Sequence, residues 1–333
     1  MSRFILVIHP GGLGDVLLAL PALRRLRHRF SEHRAWLVCG GQVGALLKAC
    51  GEVSEAVSLD RGDLAALLAG QRPSAPGLAG CLAGCDLAVA WLADPDGRLQ
   101  ETLRRFGVRR VMTGSPASPA CRAVHQGTRY LEIVGEVETA ADEAVLLAVP
   151  AAVLAEGRRA LSAIRVPDGA RWAAIHPGSG SPHKCCDPGV LAQVVGWCRE
   201  RGLFPVLVGG PADAEAVSAV HRICTNSSAV LAGLDLSAVA GALASAVLFV
   251  GHDSGLTHLA ARLGLPTIAL FGPTESQRWA PPGPHVAVLT GEPCACRDWE
   301  SVRACDSKPC LRISLEALTV ACEARLRDAG ARI

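Results

Sequence analysis

The sequence predicts an α/β protein with two doubly wound domains, each a parallel sheet flanked by helices. Short apolar segments alternate with longer helical ones through all 333 residues, which is typical of repeated β–α units. Half of the residues are hydrophobic and few are aromatic, as expected for buried parallel strands built from Leu, Ala and Val. A glycine-rich turn follows the first apolar segment of each half, where open sheets bind ligands.

The first half begins with a strand at 4–8, a glycine turn and a helix at 15–29. The same alternation predicts further strands at 35–39 and 86–91 and near Val111, with helices at 64–69 and 99–106. We expect the strand near Val111 to end this sheet.

The second half repeats the pattern from Arg171 onward. Predicted strands lie at 172–176, 204–208, 246–250 and 266–271, and predicted helices at 188–201, 212–224, 236–243 and 257–263. An Ala-rich helical stretch joins the halves and a helix at 314–327 ends the chain. The predicted domains are therefore 1–155 and 156–313, followed by a C-terminal helix at 314–333.

Charge and hydropathy exclude several classes of protein. The formal net charge of +2 argues against a general nucleic-acid binder. No run reaches the roughly 18 unbroken apolar residues of a membrane span. The apolar run at 4–8 is too short for the hydrophobic part of a signal peptide, so we expect a cytoplasmic protein.

The turn at 251–258 indicates a binding site for a phosphorylated ligand. Asp253 or Ser254 can cap the helix that follows, and Gly255 allows a ligand to approach the backbone closely. The unpaired first amides and the helix dipole favour an anion, typically phosphate. Because the charge of Asp253 would repel phosphate, we expect Asp253 itself to cap the helix. His258 lies on the helix face of Ser254 and could bind ligand or simply pack.

The second glycine turn, at 177–184, suits a diphosphate. Ser179 and Ser181 offer hydroxyl donors and Lys184 a compact positive charge. The alternative is an exposed loop with an incidental lysine. Asp213 and Glu215 follow the next strand and could bind ribose hydroxyls, or merely start a helix, whereas Leu234 could offer backbone groups to a base.

The first glycine turn, at 9–15, matches the dinucleotide fingerprint only in part. Gly12 and Gly14 are present, but Leu17 occupies the third glycine position, and no triphosphate-binding Lys-Ser/Thr pair follows. Asp15 stands at the start of the first helix. It could cap that helix or act as a catalytic base.

The chain has 14 cysteines, many for a cytoplasmic protein. Cys39, Cys198 and Cys224 lie in apolar periodic segments, where small buried hydrophobic side chains are expected. A polar loop near the end holds four more: Cys294, Cys296, Cys305 and Cys310. Those four could bind zinc structurally, form disulfides or stay reduced.

Taken together, these motifs resemble glycosyltransferase family 9, the ADP-heptose:lipopolysaccharide heptosyltransferases. The matching motifs are Gly-Asp-Val at 14–16, Pro-Ala-Leu at 21–23, His125 with Arg-Tyr-Leu at 129–131, the turn at 176–184, Asp-Ser-Gly-Leu-Thr-His-Leu-Ala at 253–260, Phe-Gly-Pro-Thr at 271–274, Arg-Trp-Ala-Pro at 278–281 and the Cys-rich end. The resemblance covers nearly the whole chain in order.

This resemblance implies a GT-B fold, in which two facing Rossmann-like domains enclose the site in a cleft. It implies that the C-terminal domain binds a nucleotide sugar and that Asp15 deprotonates the acceptor for an inverting displacement. Lys184, the two serines of its turn and the amides of Ser254 and Gly255 would stabilise the leaving diphosphate, so no cofactor is expected besides the ADP-sugar co-substrate.

The resemblance also implies an inner-core lipopolysaccharide acceptor at the cytoplasmic membrane face. Candidate residues on the acceptor side are Gly12, Arg98, Arg122 and His125. Arginines at 24, 25, 27 and 29 could attract the acceptor or anionic headgroups, or could simply complement the end of their helix.

Two departures from the family pattern stand out. Cys185-Cys186 replaces a Trp-Pro that often follows the turn lysine, which removes an aromatic wall. The segment 90–98 replaces a polar stretch on the acceptor side, so the acceptor could differ from the usual one. A nicotinamide-dependent oxidoreductase and a non-catalytic nucleotide-sugar binder are the alternatives; the first would require the missing third glycine, and the second has no use for Asp15.

Overall fold

A computed structural model describes residues 3–116, 124–135, 145–225 and 228–330. The chain divides into two compact units, Met1–Ala141 and Asp142–Ile333. Each unit is a parallel sheet with helices packed on it, so the predicted pair of Rossmann-like α/β domains is confirmed.

The first unit contains a five-stranded sheet in the order β3-β2-β1-β4-β5. Its strands are β1 (Phe4–Ile8), β2 (Arg34–Cys39), β3 (Glu55–Ser58), β4 (Cys85–Ala90) and β5 (Arg110–Thr113). Its helices are α1 (Leu13–Leu18), α2 (Leu20–Arg29), α3 (Gly41–Ala49), α4 (Asp63–Leu68), α5 (Leu78–Ala83), α6 (Arg98–Arg105) and α7 (Gln126–Ile133). The strand near Val111 lies at the edge of the sheet, as predicted.

The second unit contains a six-stranded sheet in the order β11-β10-β9-β6-β7-β8. Its strands are β6 (Trp172–His176), β7 (Phe204–Gly209), β8 (Ala229–Ala232), β9 (Leu248–His252), β10 (Thr267–Phe271) and β11 (Val286–Thr290). Its helices are α8 (Ala151–Ala163), α9 (Pro188–Glu200), α10 (Ala214–Ile223), α11 (Leu236–Leu243), α12 (Gly255–Arg262), α13 (Ser276–Trp279), α14 (Trp299–Arg303) and α15 (Leu315–Gly330).

All strand pairs in both sheets are parallel, so their carboxyl ends lie along one edge of each sheet. The chain order reverses between β1 and β4 in the first sheet and between β6 and β9 in the second. Ligands of open α/β sheets bind beyond the strand ends at such a switch point. The fold therefore singles out the turns after these four strands.

The predicted helix at 15–29 is in fact two helices, α1 and α2, which meet at Ala19. Pro21 explains the break, because it has no N–H to donate to the carbonyl of Leu17. The first helix begins at Leu13, two residues before the predicted start, so Asp15 lies in its first turn.

The helix α8 runs through the predicted domain boundary at 155/156. It packs tightly on α11 within the second unit: an ideal Cβ at Gly157 would lie 2.0 Å from the Gly241 carbonyl carbon, and one at Gly241 equally close to the Val153 oxygen. The described structure therefore divides the chain before α8 rather than inside it. The C-terminal helix α15 packs on α9, β10 and β11 and belongs to the same unit.

Among the described residues, no helix combines the length and the apolar character that crossing a bilayer requires.

Candidate functional site

The candidate donor-binding residues of the second unit all lie at the carboxyl edge of its sheet. Ser179, Ser181 and Lys184 follow β6, Asp213 and Glu215 follow β7, and Leu234 follows β8. The segment 253–258 follows β9, which is the neighbour of β6 in the sheet. The parallel topology thus brings together residues that lie up to about 80 positions apart in the sequence.

Asp253 is the centre of the contacts at this switch point. Its Oδ2 accepts hydrogen bonds from Lys184 Nζ at 2.8 Å and from Thr274 Oγ1 at 2.7 Å. Ser179 Oγ donates to its backbone oxygen at 2.6 Å. The side chains of Lys184 and Asp253 are 19% and 10% exposed, so the ion pair is largely shielded from water. The turns after β6, β9 and β10 are locked together through one carboxylate.

The expectation that Asp253 caps the helix α12 is wrong. Ser254 is the N-cap, and its hydroxyl accepts from the Thr257 amide at 3.3 Å. Asp253 lies one residue before the cap, where its side chain turns to Lys184 instead. Both residues are good caps in isolation, and the lysine of a distant turn decides between them.

The remaining candidates of this unit have different surroundings. Ser181 caps the short 3₁₀ helix that contains Lys184, by accepting from the His183 amide. His258 is buried on α12. Asp213 Oδ2 accepts from the Gly210 amide at 2.7 Å. Glu215 is exposed and Leu234 half-buried.

Asp213 also packs directly on the second glycine turn. An ideal Cβ at Gly178 would lie 1.9 Å from Asp213 Oδ1, so a larger residue there would displace the carboxylate. The Gly210 amide and the close packing of Gly178 therefore hold the Asp213 carboxylate beside this turn, at the carboxyl ends of the strands.

Two buried histidines, His176 and His252, lie beneath these turns. The Cys186 amide donates to His252 Nε2 at 3.0 Å, and His176 Nδ1 lies 2.8 Å from the Val208 oxygen. Burial, followed by the neighbouring His176, lowers the pKa of His252 to about 4, and burial likewise lowers that of His176. His252 is thus neutral at physiological pH and links the segment after Lys184 to the end of β9.

Sequence reasoning missed two residues that contact this cluster, Thr274 and Trp299. The Trp299 ring centroid lies 6.0 Å from Lys184 Nζ, in cation–π range. Cys185-Cys186 leaves no aromatic residue directly after the lysine. Trp299, from a loop more than 100 residues later, places an aromatic ring beside it instead. Thr274 lay inside a recognised motif, but no local signal pointed to Trp299.

In the first unit, Asp15 is the third residue of α1, and its Oδ2 accepts from the Gly12 amide at 3.0 Å. The capping interpretation is therefore confirmed, and it leaves the catalytic one open. Gly11 allows the tight turn, since an ideal Cβ there would lie 2.7 Å from both Asp15 Cβ and His9 Cε1.

Three rings, His9, Trp91 and Tyr130, pack beside Asp15 at the switch point of the first sheet, with centroids 5.1–5.4 Å apart. Burial lowers the pKa of His9 to about 4, and burial followed by the charge of Asp15 raises that of Tyr130. His9 Nε2 and Trp91 Nε1 find no hydrogen-bond partner among the described residues. No local sequence signal predicts this aromatic cluster, because His9 follows β1, Trp91 follows β4 and Tyr130 lies in α7.

The candidates of the acceptor side share the first unit but make different contacts. Gly12 is the N-cap of α1, and His125 caps α7 by accepting from the Gly127 amide. Arg98 is exposed at the start of α6, near Asp96. Arg122 lies outside the described residues.

The arginines of α2 divide into two groups. Arg24 and Arg27 both pair with the nearly buried carboxylate of Glu52. Arg25 and Arg29 are exposed. Two of the four arginines therefore bind α2 to the segment after α3.

The predicted burial of three cysteines is confirmed. Cys39, Cys198 and Cys224 are buried. Cys294, Cys296 and Cys305 form a cluster in which all three sulfurs lie within 4.8 Å of one another. Cys310 is buried nearby and reaches Cys294.

Solved structures with this fold cover almost the whole chain. A glycosyl transferase family 9 protein from Veillonella parvula superposes with a TM-score of 0.79 at 18% identity and covers 98% of both chains. The ADP-heptose lps heptosyltransferase II of Escherichia coli superposes with a TM-score of 0.71 at 20% identity and covers 98% of this chain and 100% of its own. These likenesses identify the fold as GT-B.

Sequence relatives match shorter segments. Lipopolysaccharide heptosyltransferase 3 of Escherichia coli K12 is 37% identical over 128 residues, which is 37% of either chain. Lipopolysaccharide heptosyltransferase 1 of Pseudomonas aeruginosa is 52% identical over 49 residues, 15% of this chain and 14% of its own. The matches thus span about a third or less of the length of these curated relatives.

The model of glycosyltransferase family 9 (heptosyltransferase) matches residues 137–304, slightly more than half of the chain. This segment includes the turns of Lys184 and Asp253 at the switch point of the second sheet. The match decides against the nicotinamide-dependent oxidoreductase. On the evidence of its fold, these turns and the family match, the chain belongs to glycosyltransferase family 9.

Proposed function

We propose that this protein is an inverting glycosyltransferase that transfers a heptose from ADP-heptose to an inner-core lipopolysaccharide or a related saccharide. Membership of the heptosyltransferase family supports heptose transfer. The observation that carries the proposal is the Lys184–Asp253 cluster, which is built at the sheet edge where nucleotides bind in this class of fold.

The donor diphosphate would bind above the turns after β6 and β9. The amides of Ser254 and Gly255, at the start of α12, would supply N–H donors at the positive end of the helix dipole. Lys184 adds an ammonium group, and its ion pair with Asp253 fixes that group in place before ligand arrives. The hydroxyls of Ser179 and Ser181 line the same turn. These donors stabilise the charge that gathers on ADP as it leaves, in the role that a divalent ion has elsewhere.

The nucleoside part of the donor would extend along the sheet edge toward β7 and β8. Asp213 and Glu215 offer carboxylates to the ribose hydroxyls, and the backbone at Leu234 offers groups to the adenine. His258, on the same helix as Ser254, would contact the donor from α12. These assignments follow the order of the strands, β9-β6-β7-β8.

Asp15 would act as the catalytic base. Its carboxylate takes the proton from the acceptor hydroxyl while that oxygen attacks the anomeric carbon, from the face opposite the bond to ADP. The C–O bond to ADP breaks as the new C–O bond forms, so the configuration inverts without a covalent enzyme intermediate. The Gly12 amide orients the carboxylate for this task.

The acceptor carries anionic groups in this proposal, and Arg98, Arg122, His125 and the Gly12 backbone would contact it. The exposed Arg25 and Arg29 of α2 suit the same acceptor or the headgroups around it. We accordingly place the protein in the cytoplasm, in peripheral contact with the inner membrane.

The variant Asp15→Asn tests the base assignment sharply. The amide oxygen of asparagine can still accept from the Gly12 amide, so the cap survives while the proton acceptor is lost. We expect ADP release from ADP-heptose with acceptor to slow by about 100- to 10,000-fold, with the melting temperature nearly unchanged. A turnover rate within threefold of the wild type would contradict the assignment.

Calorimetric titration with ADP, UDP and NAD tests the donor class independently of turnover. We expect ADP to bind more tightly than the other two. Binding of ADP-heptose without any turnover on saccharide acceptors would instead support a non-catalytic nucleotide-sugar binder.

A further inference from the structure

The loop at 292–309 leaves the second sheet after β11 and has almost no core of its own. None of its 18 residues is buried, and its one helix, α14, contributes no buried side chain. Two backbone hydrogen bonds close its base, from Gly291 to the Cys310 oxygen and from Glu292 to the Pro309 oxygen. Ordering this many residues costs roughly 1–2 kcal/mol each, which this loop does not recover by apolar burial. Another interaction must fix it.

A cluster of four thiols lies inside this loop and at its base. We call it the thiol cluster: Cys294, Cys296, Cys305 and Cys310. The first three sulfurs all lie within 4.8 Å of one another, and the thiols of Cys305 and Cys310 both interact with that of Cys294. Sulfurs around a tetrahedral zinc ion, each about 2.3 Å from the metal, lie about 3.8 Å apart, so the cluster is close to the size that one ion needs.

Disulfide formation accounts for this arrangement less well. A disulfide bond joins two sulfurs at about 2.05 Å and draws them away from any third. Here three sulfurs lie within 4.8 Å of one another, and those of Cys294 and Cys296 are 3.1 Å apart. Convergence of more than two thiols is what a shared metal ion requires.

The loop also contacts the turn that carries Lys184. Lys308 Nζ donates to the Pro182 oxygen at 3.3 Å, and the ring of Trp299 lies beside Lys184 although it is 43% exposed. These few contacts are a small interface, so the loop needs a rigid support to keep Trp299 beside the turn of Lys184.

We propose that the thiol cluster binds one zinc ion as a structural tetrathiolate site, and that this ion holds the loop and its Trp299 against the turn of Lys184. Each thiol releases its proton to solvent on binding, and zinc undergoes no redox change. The second part rests on the proposed donor site; the first does not.

Metal content tests the first part. Protein purified in reducing buffer without chelator should contain about one zinc per chain by elemental analysis. Cobalt added to the metal-free protein should give the sulfur-to-metal charge-transfer absorption of thiolate ligation. Cys296→Ser and Cys305→Ser should each lose most of the zinc, whereas Cys50→Ser, a half-buried thiol of the first unit, should keep it.

Absence of stoichiometric metal, iron in place of zinc, or zinc retained in both cluster variants would overturn the site. So would a non-reduced mass spectrum that shows disulfides among the four cysteines of the freshly reduced and repurified protein.

Proteolysis and ligand binding test the second part. Without metal, trypsin should cut after Arg297 or Arg303 at least tenfold faster, and ADP affinity should fall about three- to tenfold. If the loop opens while ADP affinity is unchanged, the ion does not support the donor turn. If the holoprotein binds zinc but no ADP, the proposed function fails and the metal site stands.

Discussion

At the scale of single residues, the site depends on a few shielded charges that satisfy one another. The carboxylate of Asp253 accepts from Lys184 and Thr274, and its backbone oxygen accepts from Ser179. Removing one partner of such a pair leaves an uncompensated charge, which costs far more than the pair contributes. The same lysine would have two tasks, neutralising Asp253 and attracting diphosphate, and substitution can separate them.

We expect Lys184→Met to weaken ADP binding at least tenfold and to destabilise the protein by about 3 kcal/mol, since Asp253 is left unpaired. The double variant Lys184→Met with Asp253→Asn should regain most of that stability but none of the ADP affinity. Thermal melting and calorimetric titration measure the two effects. Recovery of ADP binding in the double variant would show that Lys184 acts only on Asp253.

The folded protein should also become less stable as the pH is lowered, because His252 is buried in its neutral form. The unfolded chain protonates this histidine near pH 6.5, whereas the folded chain does so near pH 4, so stability is full above 6.5 and declines below it. This difference between the two pKa values corresponds to a loss of about 3 kcal/mol in the free energy of unfolding by pH 4.

His252→Gln keeps an acceptor for the Cys186 amide and cannot titrate, so its melting temperature should fall less between pH 7 and pH 4.5. His28→Gln, at the exposed end of α2, serves as the control and should melt like the wild type across this range. An identical pH profile for His252→Gln would contradict the assignment.

At the scale of elements, close packing of backbone determines where glycine is required. The helices α8 and α11 cross at Gly157 and Gly241, where either Cβ would overlap a backbone atom of the other helix. Neither backbone can move aside as a flexible side chain can. The contact ties the helix before the second sheet to the helix that precedes β9.

We expect Gly157→Ala to lower the melting temperature markedly, with a destabilisation of about 2–4 kcal/mol from the forced separation of the helices. Gly196→Ala on the exposed face of α9, where a Cβ meets nothing within 4 Å, should instead stabilise by about 0.5–1 kcal/mol. Equal effects of the two substitutions would contradict the packing argument.

At the scale of the whole molecule, the two units have separate sheets and separate apolar cores. One core lies around β1, β2 and β4, and the other around β6, β7, β9 and β10. Every residue proposed to bind the donor belongs to the second unit, and Asp15 belongs to the first. Binding and catalysis should therefore be separable by dividing the chain.

We expect the isolated segment 142–333 to fold and to bind ADP within about fivefold of the full chain, since its core and donor turns are complete. The same segment with Lys184→Met is the control and should bind weakly. Circular dichroism and calorimetry check both. A folded segment without ADP affinity would show that residues of the first unit bind the nucleotide.

Local pattern was enough to predict much of this protein. Apolar runs, glycine turns and caps located most of the strands and helices, and parallel topology then required the turns after β6, β7 and β9 to share an edge. The helix break at Ala19 also has a local cause, Pro21. These features depend on neighbours within a few residues.

The tertiary structure determines which side chains contact one another at the carboxyl edge of the second sheet. Asp253 binds Lys184 rather than capping α12, and Trp299 replaces an aromatic wall from a loop more than 100 residues away. The aromatic cluster around His9 and the convergence of the four C-terminal thiols are likewise contacts between separate segments. A single sequence specifies the chemical groups, but the order of strands in the folded sheet determines which of them meet.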